Sequence, residues 1–549
     1  MTIDASRRSW LQMAGAAGVV ALAPKSTAAQ SLDPAQFFNS ALGARASQVY
    51  AFRENAARVH LSQSATMGPQ LSNGDEVTLP DFAGSFSKTL PHNGIGEVDP
   101  AAYRALLRAI GSGSMADYNA IPLASGATMR LVSPMGALAM DLHGLDAHAT
   151  RIRPPPALRS AEAAGELVEV YWQALTRDVP FADYGSDALI GMAVNDLNAL
   201  RHPPGPRVDG RITSGSIFRG ETPADLRGPY ISQFLWQLVP FGPMVMPQRY
   251  RAFAAGTDFL VSDADVLANQ NGRVPRSGTL ESNARYIYNG RSLSEYVHTD
   301  FSYQAFLNAA LICLGYGSGA LSASNPYRGN PSQAGFVSFG GPDVLNIVAM
   351  AARMGLNGAW YQKWQVHRKL RPEAMAARAE VQRRGLRNYD LHSDALASDG
   401  AQRLVRRNGS QTLPMAFPEG APPHPAYPAG HAAIAGACVT VLKAFFNPDF
   451  VIPNSVVAKR DGSDLEPLGL ELRLGDELDK LAANISIGRD TAGVHYRSDG
   501  IEGMRLGEQM ALGLLRDYSL SYAEYFSGFE VRLFDGARVR VVGGAVQPA

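Results

Sequence analysis

Residues 488–499 read GRDTAGVHYRSD and lie near the end of a 549-residue chain. Arg489 and His495 are six residues apart with Gly493 between them, and Asp499 follows His495 by four. Four residues make about one helical turn, so we expect Asp499 on the same helix face as His495. A carboxylate there holds one imidazole nitrogen and leaves the other free as a ligand or nucleophile. Alone, the pair is equally typical of a structural ion pair.

A second segment, His424 to His431, reads HPAYPAGH and is followed by the apolar run AAIAGACVTVLKAFF. The run predicts a helix over 431–446. The first N–H groups of a helix are unpaired and carry partial positive charge, so they attract an anion. Gly430 allows close approach of the backbone N–H, and His431 is suited to acid–base chemistry beside the anion. By itself the segment also fits an ordinary helix start.

A third segment, WYQKWQVHRKLRP, covers residues 360–372 at the end of a predicted helix over 342–370. Lys363 and Arg371 would reach one pocket, where an ammonium and a guanidinium give complementary bonds to oxygen atoms. Alone, such a basic stretch is typical of a solvated helix end. Together the three segments supply three fixed cations, a helix start and two histidines. This set predicts a site for a tetrahedral oxyanion such as phosphate or vanadate.

The first residues predict export rather than structure. Ser6–Gln12 is a twin-arginine pattern, Met13–Ala23 is an apolar run, and Thr27-Ala28-Ala29 offers a cleavage site. We expect residues 1–29 to be a twin-arginine signal peptide on a bacterial protein that is exported folded, to the periplasm or outside the cell. The apolar run is too short to span a bilayer, and no later run reaches spanning length. Lys plus Arg and Asp plus Glu both number 50, which argues against nucleic acid as a partner.

The rest of the chain predicts a mainly α fold built from helix bundles, with one small β hairpin around Asp535-Gly536. We expect residues 30–300 to form a helical and loop region and residues 301–549 to form the helical region that carries the site, in one compact unit. Predicted helices beyond those above are 100–110 (ending at Gly111), 160–177, 186–200, 300–314, 474–484 and 496–518. Three further predictions concern single side chains. We expect Asp300 to be a helix N-cap or a partner of His431, and Arg378–Arg384 to form a solvated helix face. We expect Cys313 and Cys438 to be buried thiols, and whether they form a disulfide stays open.

The wording KWQVHR-x2-RPE, HPAYP-x-GH and GRDTAGVHYRSD, in this order, resembles the vanadium-dependent haloperoxidases. Within that family it is most similar to the algal-type bromoperoxidases and their bacterial relatives, which share an anion site with the type 2 phosphatidic-acid phosphatases. The resemblance is specific over about residues 340–520 and weaker over about 40–340. It implies an enzyme that oxidises bromide and iodide with hydrogen peroxide and halogenates small organic acceptors.

The resemblance also implies a role for each site residue. His495 would bond the vanadium of one vanadate per subunit, and His431 would be the acid–base residue. The vanadate oxygens would be held by Lys363, Arg371, Arg489 and the Gly430 N–H. Lys363 would also take part in catalysis, Trp360 would line the pocket, and His424 matches the second active-site histidine of bromoperoxidases. Homo-oligomers and calcium sites occur in relatives, so we expect a homo-oligomer, while no calcium ligand is assignable.

One position departs from the family pattern, because Ala429 stands where most members have serine before the Gly-His pair. We expect weaker vanadate binding, since a hydrogen bond to a charged group contributes about 1.5–3 kcal/mol. Two alternatives stay open at this point. One is an acid phosphatase on the same scaffold with His495 as nucleophile, and the other is a family member that has lost vanadate and been repurposed.

Overall fold

The computed structural model describes residues 42–65 and 69–549. Residues 49–549 form one compact unit, which contains the three motif segments. The expected signal peptide, residues 1–29, lies outside the described residues and stays a prediction. So does the expected division after residue 300.

Helices dominate the described residues, which confirms the predicted mainly α fold. The α-helices are α1 (Leu42–Ala65), α2 (Asp75–Thr78), α3 (Pro100–Ser112), α4 (Met115–Asn119), α5 (Ala161–Thr176), α6 (Ala188–Ala199), α7 (Asp263–Gln270), α8 (Gly290–Thr299), α9 (Gln304–Gly315), α10 (Gly341–Tyr361), α11 (Pro372–Arg383), α12 (Ser393–Ala397), α13 (Asp399–Asn408), α14 (Gly430–Phe445), α15 (Leu474–Thr491) and α16 (Arg497–Tyr518). A π-helical segment follows α10 at Gln362–His367. Short 3-10 helices lie at Pro80–Phe82, Pro134–Leu138, Ala147–Ala149, Phe181–Asp183, Pro223–Leu226, Gln233–Leu235 and Ser318–Ala320.

The strands are short, with three to five residues each. They form antiparallel sheets of β1 (Val239–Phe241) with β2 (Met244–Met246), β3 (Val456–Ala458) with β4 (Leu465–Pro467), and β5 (Phe529–Arg532), β6 (Arg538–Val542) and β7 (Ala545–Pro548) in that order. The predicted hairpin around Asp535-Gly536 is therefore present as β5 and β6, with Phe529 opposite Val541. The added strand β7 makes the sheet three-stranded.

Glycines allow the central helices to touch backbone to backbone. Helices α10, α14 and α16 pack against one another. A Cβ atom on Gly507 of α16 would lie 2.0 Å from the carbonyl oxygen of Ala433, and one on Gly436 of α14 would lie 2.1 Å from that of Met504. Both distances are shorter than any real contact, so only glycine fits. The packing brings the start of α14 beside the first turn of α16, where the Ala429 N–H donates to the Asp499 carbonyl oxygen at 2.8 Å.

The site lies at the seam between two apolar clusters. Ala429 and Ala432 belong to the larger cluster, which includes much of α10, α14, α15 and α16. Leu370, Ala426 and Val494 belong to the second, which includes α5 and α11. Each motif segment thus contributes an apolar anchor beside its polar groups, and packing of the anchors fixes where the polar groups point.

The predicted helix over 342–370 is wrong beyond Tyr361. The chain continues as the π-helical segment, and Arg368 adopts a left-handed conformation at φ 40°. Arg371 is extended at φ −79° and ψ 156° and is the N-cap of α11. A residue before proline is driven out of the helical region, which explains the conformation of Arg371 before Pro372. Lys363 and Arg371 therefore approach the site from two elements instead of one.

Other boundaries also differ from the sequence prediction. Asp300 is not an N-cap but the C-cap of α8, and α9 begins only at Gln304. Helix α3 continues past Gly111 to Ser112, with Gly113 as its left-handed cap, and α15 extends beyond 484 to Thr491. Helices α5, α6, α14 and α16 lie within two residues of their predicted limits.

Two expectations about side chains are settled by burial. Arg378 was predicted on a solvated face, but it is 2% exposed and donates to the Gly96 carbonyl oxygen at 2.7 Å. That prediction is wrong for Arg378, because a segment almost 300 residues earlier covers this part of α11, but it is confirmed for Arg383 and Arg384, which are exposed. Cys313 and Cys438 are buried and free, so they form no disulfide.

The described residues contain neither a candidate membrane-spanning helix nor a cluster of metal-binding side chains. None of their helices combines the length and apolar character needed to cross a membrane. Within residues 42–65 and 69–549, no group of three or more His, Cys, Asp or Glu side chains is arranged to hold a metal ion. Calcium therefore has no assigned site.

The close contact of α14 and α16 predicts that Gly507→Ala lowers stability by about 1–3 kcal/mol, because the added methyl group forces the backbones apart. Gly191→Ala is the matched control, since Gly191 lies on an exposed helix face with no atom within 4 Å of its Cβ position. That substitution should raise stability by about 0.5–1 kcal/mol. Urea unfolding of both variants checks this, and equal effects would contradict it.

Candidate oxyanion-binding active site

His495 lies in the turn between α15 and α16 rather than on a helix. Its Nδ1 is 2.8 Å from Asp499 Oδ2, and Asp499 occupies the first turn of α16. Gly493 forms this turn at φ 85°, and a Cβ there would lie 2.9 Å from Met415 Sδ, so glycine is needed. Because the buried carboxylate accepts a hydrogen bond, it places the neutral ring's proton on Nδ1 and leaves Nε2 as an acceptor. The predicted contact is made, although the predicted helical spacing is not its cause.

Arg371 joins two of the motif segments. Its Nη1 donates to the Val494 carbonyl oxygen at 2.7 Å and lies 3.0 Å from His495 Nε2. Its Nε donates to the His424 carbonyl oxygen at 2.9 Å, and its Nη2 lies 2.9 Å from His424 Nδ1. The guanidinium is 1% exposed. It therefore holds both histidines in place from within the protein.

The other two cations converge on the same region. Lys363 is fully buried and donates to the carbonyl oxygens of Pro425 and Ala426, both at 2.7 Å. Arg489 donates to the Val297 carbonyl oxygen at 2.5 Å, and its guanidinium lies 5.5 Å from the centre of the Phe417 ring. Its buried Nε has no hydrogen-bond partner. That N–H is the kind of group a bound anion satisfies.

A cavity of about 290 Å³ opens on this cluster. Its wall contains six of the predicted site residues, Trp360, His424, Gly430, His431, Arg489 and His495. Lys363 and Arg371 do not line it but lie buried beneath. A Cβ on Gly430 would lie 3.3 Å from Trp360 Cζ3, so a side chain there would crowd the wall. The start of α14 thus presents bare backbone N–H groups to the cavity.

Burial lowers the pKa of all three cations. It lowers the pKa of Arg371 to about 9 and that of Arg489 to about 10. Burial, aided by the charge of Arg371, lowers the pKa of Lys363 well below its usual value. The same two causes depress the pKa values of His495 and His424, which are neutral at pH 7. Asp499, Asp300 and Glu419 oppose this effect of burial only in part, so a bound anion would stabilise the charged forms further.

His431 lies at the mouth of the cavity. Its Nε2 is 3.1 Å from Asp300 Oδ1, and its side chain is 26% exposed while that of Asp300 is 5% exposed. Asp300 also raises the pKa of Arg489 against the effect of burial. The suggestion that Asp300 supports His431 therefore holds geometrically, whereas its role as an N-cap does not.

His424 and Trp360 form one side of the cavity. Their ring centres are 4.7 Å apart at an interplanar angle of 45°. Since arginine only donates, Nδ1 of His424 accepts from Arg371 and the ring proton lies on Nε2. His367, in the segment 360–372, is buried with its ring edge against Tyr427 at 4.8 Å and does not line the cavity.

The cavity wall carries a second histidine–carboxylate pair besides His431 and Asp300, and the sequence did not indicate it. His298 Nε2 lies 2.7 Å from Glu419 Oε1, and its Nδ1 lies 3.3 Å from Glu295 Oε1. The imidazole stacks on Phe417 with ring centres 3.8 Å apart. Hydrogen bonds to the two carboxylates outweigh burial and raise the pKa of His298 to about 9. Glu419 is 121 residues away from His298, so no local spacing signals the pair.

Three buried cations, a bare helix start, an unsatisfied arginine N–H and a neutral histidine acceptor define a site for a tetrahedral oxyanion inside a helix bundle. The fold and sequence are similar to those of known proteins. The family described as the VCPO second helical-bundle domain matches residues 344–520. A vanadium-dependent bromoperoxidase from Ascophyllum nodosum is 34% identical over 90% of this chain and 92% of that protein.

Two further matches are to proteins of the same name or kind. A vanadium-dependent bromoperoxidase from Corallina pilulifera is 32% identical over 91% of this chain and 99% of that protein. The solved structure of the second vanadate-dependent bromoperoxidase of Ascophyllum nodosum, a homohexamer, has a TM-score of 0.87 and 28% identity, covering 97% of this chain and 96% of that one. The chain belongs to the vanadium-dependent haloperoxidase family, which confirms the resemblance found in its motifs.

The raised pKa of His298 predicts a pH-dependent contribution to stability. Its unfolded value is near 6.5, so the stabilisation from Glu295 and Glu419 is fully present below pH 6.5 and is lost as the pH rises through about 9. We expect the free-energy difference of unfolding between the wild type and His298→Gln to shrink across this pH range. The decrease should be less than about 3 kcal/mol, because His298 and Glu419 are partly open to solvent. Urea unfolding at pH 6, 7.5 and 9.5 measures it, and a constant difference would refute the ion-pair explanation.

Proposed function

We propose that this protein is a vanadate-dependent bromoperoxidase that uses hydrogen peroxide to oxidise bromide, and iodide, to an electrophilic halogen species. That species halogenates electron-rich organic acceptors. The observation that carries the proposal is the convergence of Lys363, Arg371, Arg489 and the Asp499-oriented His495 on one cavity, in a chain of this family. The phosphatase alternative is not favoured by the relatives, which are named bromoperoxidases.

The residues present fit vanadate, bound once per subunit. His495 would bond it through Nε2, since Asp499 fixes the proton on Nδ1. Its oxygens would be held by Lys363, Arg371, Arg489 and the Gly430 N–H. When bound, vanadate supplies a Lewis-acid centre that activates hydrogen peroxide toward halide. The cations stabilise the negative charge on its oxygens, and they do so strongly because the site is buried.

Oxidation of one bromide by one hydrogen peroxide, with release of hypobromous acid and water, consumes one proton. His431 is placed to move it, because its side chain is 26% exposed at the cavity mouth while Asp300 fixes its Nε2. General acid–base transfer of this kind contributes about 10²–10⁴-fold to a rate. His424 and Trp360 shape the wall on which halide and acceptor arrive, and the Arg371 bond keeps His424 neutral.

We further propose that the chain forms a homo-oligomer, as its Ascophyllum nodosum structural neighbour does. Export through the twin-arginine pathway is proposed from three features of the sequence, which are Ser6–Gln12, the apolar run Met13–Ala23 and the small residues Thr27-Ala28-Ala29. Folded export suits an enzyme whose cofactor site is assembled from segments more than 100 residues apart.

The proposal predicts vanadate-dependent bromination of a phenolic dye by the purified protein with hydrogen peroxide and bromide, in phosphate-free buffer. Vanadate at about 100 times its Kd should also stabilise the fold by about 2.7 kcal/mol, read as a rise in Tm. His495→Ala should lose both effects. His367→Ala is the matched control, since it removes a buried histidine that does not line the cavity, and it should retain both. Phosphate-ester hydrolysis without vanadate-dependent bromination would favour the phosphatase instead.

Ala429 predicts a gain from restoring the family hydroxyl. It is fully buried and is the N-cap of α14, without a side-chain cap. Ala429→Ser should tighten vanadate binding by roughly ten- to a hundredfold if the hydroxyl reaches an oxyanion oxygen. Ala435→Ser adds the same group to a buried position six residues along α14 and should not tighten binding. A rise in the Tm of the vanadate-free protein at unchanged Kd would show that the hydroxyl only caps the helix.

A further inference from the structure

A chain of buried charges lies behind His495, on the side away from the cavity. Asp499 receives the His495 Nδ1 bond on its Oδ2, and its other oxygen, Oδ1, lies 3.0 Å from Lys369 Nζ. The Lys369 ammonium lies 3.7 Å from Glu166 Oε2. Asp499 is 0% exposed, Glu166 5% and Lys369 8%. Acidic and basic side chains thus alternate along this chain, and each lies next to a partner of opposite type.

Lys369 is held on every side. Its ammonium lies 4.1 Å from the centre of the Tyr496 ring and 5.6 Å from that of the Tyr427 ring. It also donates to Ser498 Oγ at 3.3 Å, and its backbone oxygen accepts from the Ala426 N–H at 3.0 Å. A lysine side chain is ordinarily flexible, so this enclosure is what gives the ammonium a fixed position.

Glu166 anchors the far end of the chain. One of its oxygens accepts from the Ser498 N–H at 2.6 Å, and the other from Ser498 Oγ at 3.1 Å. These bonds tie α5 to the first turn of α16, which also carries Asp499. The two helices therefore hold Lys369 between two carboxylates.

The bond from Lys369 to Asp499 affects the orientation of the His495 ring. Without Lys369 the Asp499 carboxylate would be held on Oδ2 alone, by His495 and by the Tyr496 N–H at 3.3 Å. Its Oδ1 would then be able to turn toward the cations Lys363 and Arg371, whose pKa values Asp499 already raises. Occupation of Oδ1 by Lys369 fixes the plane of the carboxylate, and with it the direction of His495 Nε2. Groups that orient a ligand in this way are typically worth 10–100-fold in affinity.

We propose that Lys369 is a positioning residue that fixes Asp499, and through it the His495 imidazole, for bonding to vanadium. This inference rests on the proposed function. Sequence analysis did not separate Lys369 from the basic run around it, because its partners Glu166 and Asp499 are far away in the chain.

Vanadate and phosphate are anions of the same shape. A comparison of their binding separates two roles for Lys369, orientation of His495 and simple addition of positive charge. Vanadate uses both the cations and the His495 bond, whereas phosphate is held by the cations and N–H groups alone. If Lys369 acts through His495, its loss weakens vanadate much more than phosphate. If it only adds positive charge, the two anions weaken equally.

The test is Lys369→Met, with dissociation constants for orthovanadate and orthophosphate measured separately by isothermal titration and the vanadate state checked by vanadium NMR. We expect the vanadate Kd to rise about 10–100-fold and the phosphate Kd to change less than about threefold. Lys443→Met is the matched control, because Lys443 is buried, lies 2.9 Å from Asp479 and 4.1 Å from the Phe534 ring centre. It follows His431 by twelve residues on α14, about 18 Å along the helix, and both constants should stay unchanged.

Equal weakening of both anions, or no weakening, would overturn the inference while leaving the proposed function intact. A wild-type protein that binds phosphate but not vanadate would remove the proposed function and the inference with it. If Lys369→Met does not fold, Glu166→Gln serves instead, since it withdraws the second carboxylate from Lys369. The same preference for weakening vanadate over phosphate supports the inference there, and its absence refutes it.

Discussion

The structure depends on one electrostatic constraint, the burial of Lys363, Arg371 and Arg489 around a cavity that holds little opposing charge. Each cation is desolvated, and the free-energy cost of desolvation lowers the pKa values of all three. The fold tolerates it by giving each one backbone carbonyl oxygens, from Val297, Pro425–Ala426 and Val494. Carbonyl dipoles stabilise a cation without neutralising it, so the positive potential in the cavity persists for an anion.

That constraint accounts for the arrangement of the helices around the site. The carbonyl oxygens come from loops, which need rigid support to hold them against mutually repelling cations. Glycine contacts between α14 and α16 supply it, because they allow the start of α14 to touch the first turn of α16. His495 is then trapped between Arg371 on one nitrogen and Asp499 on the other. A single backbone shift there would move the helix start, the histidine and the carboxylate together.

Sequence alone predicted the parts of the site that are local and missed those that are not. Spacing within each motif identified the residues that line or underlie the cavity, because a short loop at a helix end brings its own residues together. The π-helical segment after Tyr361 was missed, since nothing in KWQVHRKLRP distinguishes it from a continuing helix. Asp300, Glu419 and Glu166 contact site residues more than 100 positions away. Their roles depend on tertiary packing. Buried charges require these contacts, but no periodic pattern in the sequence indicates them.

The balance of energies explains how Ala429 is compatible with an intact site. One hydroxyl bonded to a charged oxygen contributes about 1.5–3 kcal/mol. A unit charge pair at 4 Å contributes about 4 kcal/mol at an effective dielectric constant near 20. Three retained cations therefore outweigh the missing hydroxyl several times over. Loss of one cation would be worse than loss of its own attraction, because the anion would be desolvated without compensation. Charge and the orientation of His495 therefore contribute more to anion binding than the residue before Gly430 does.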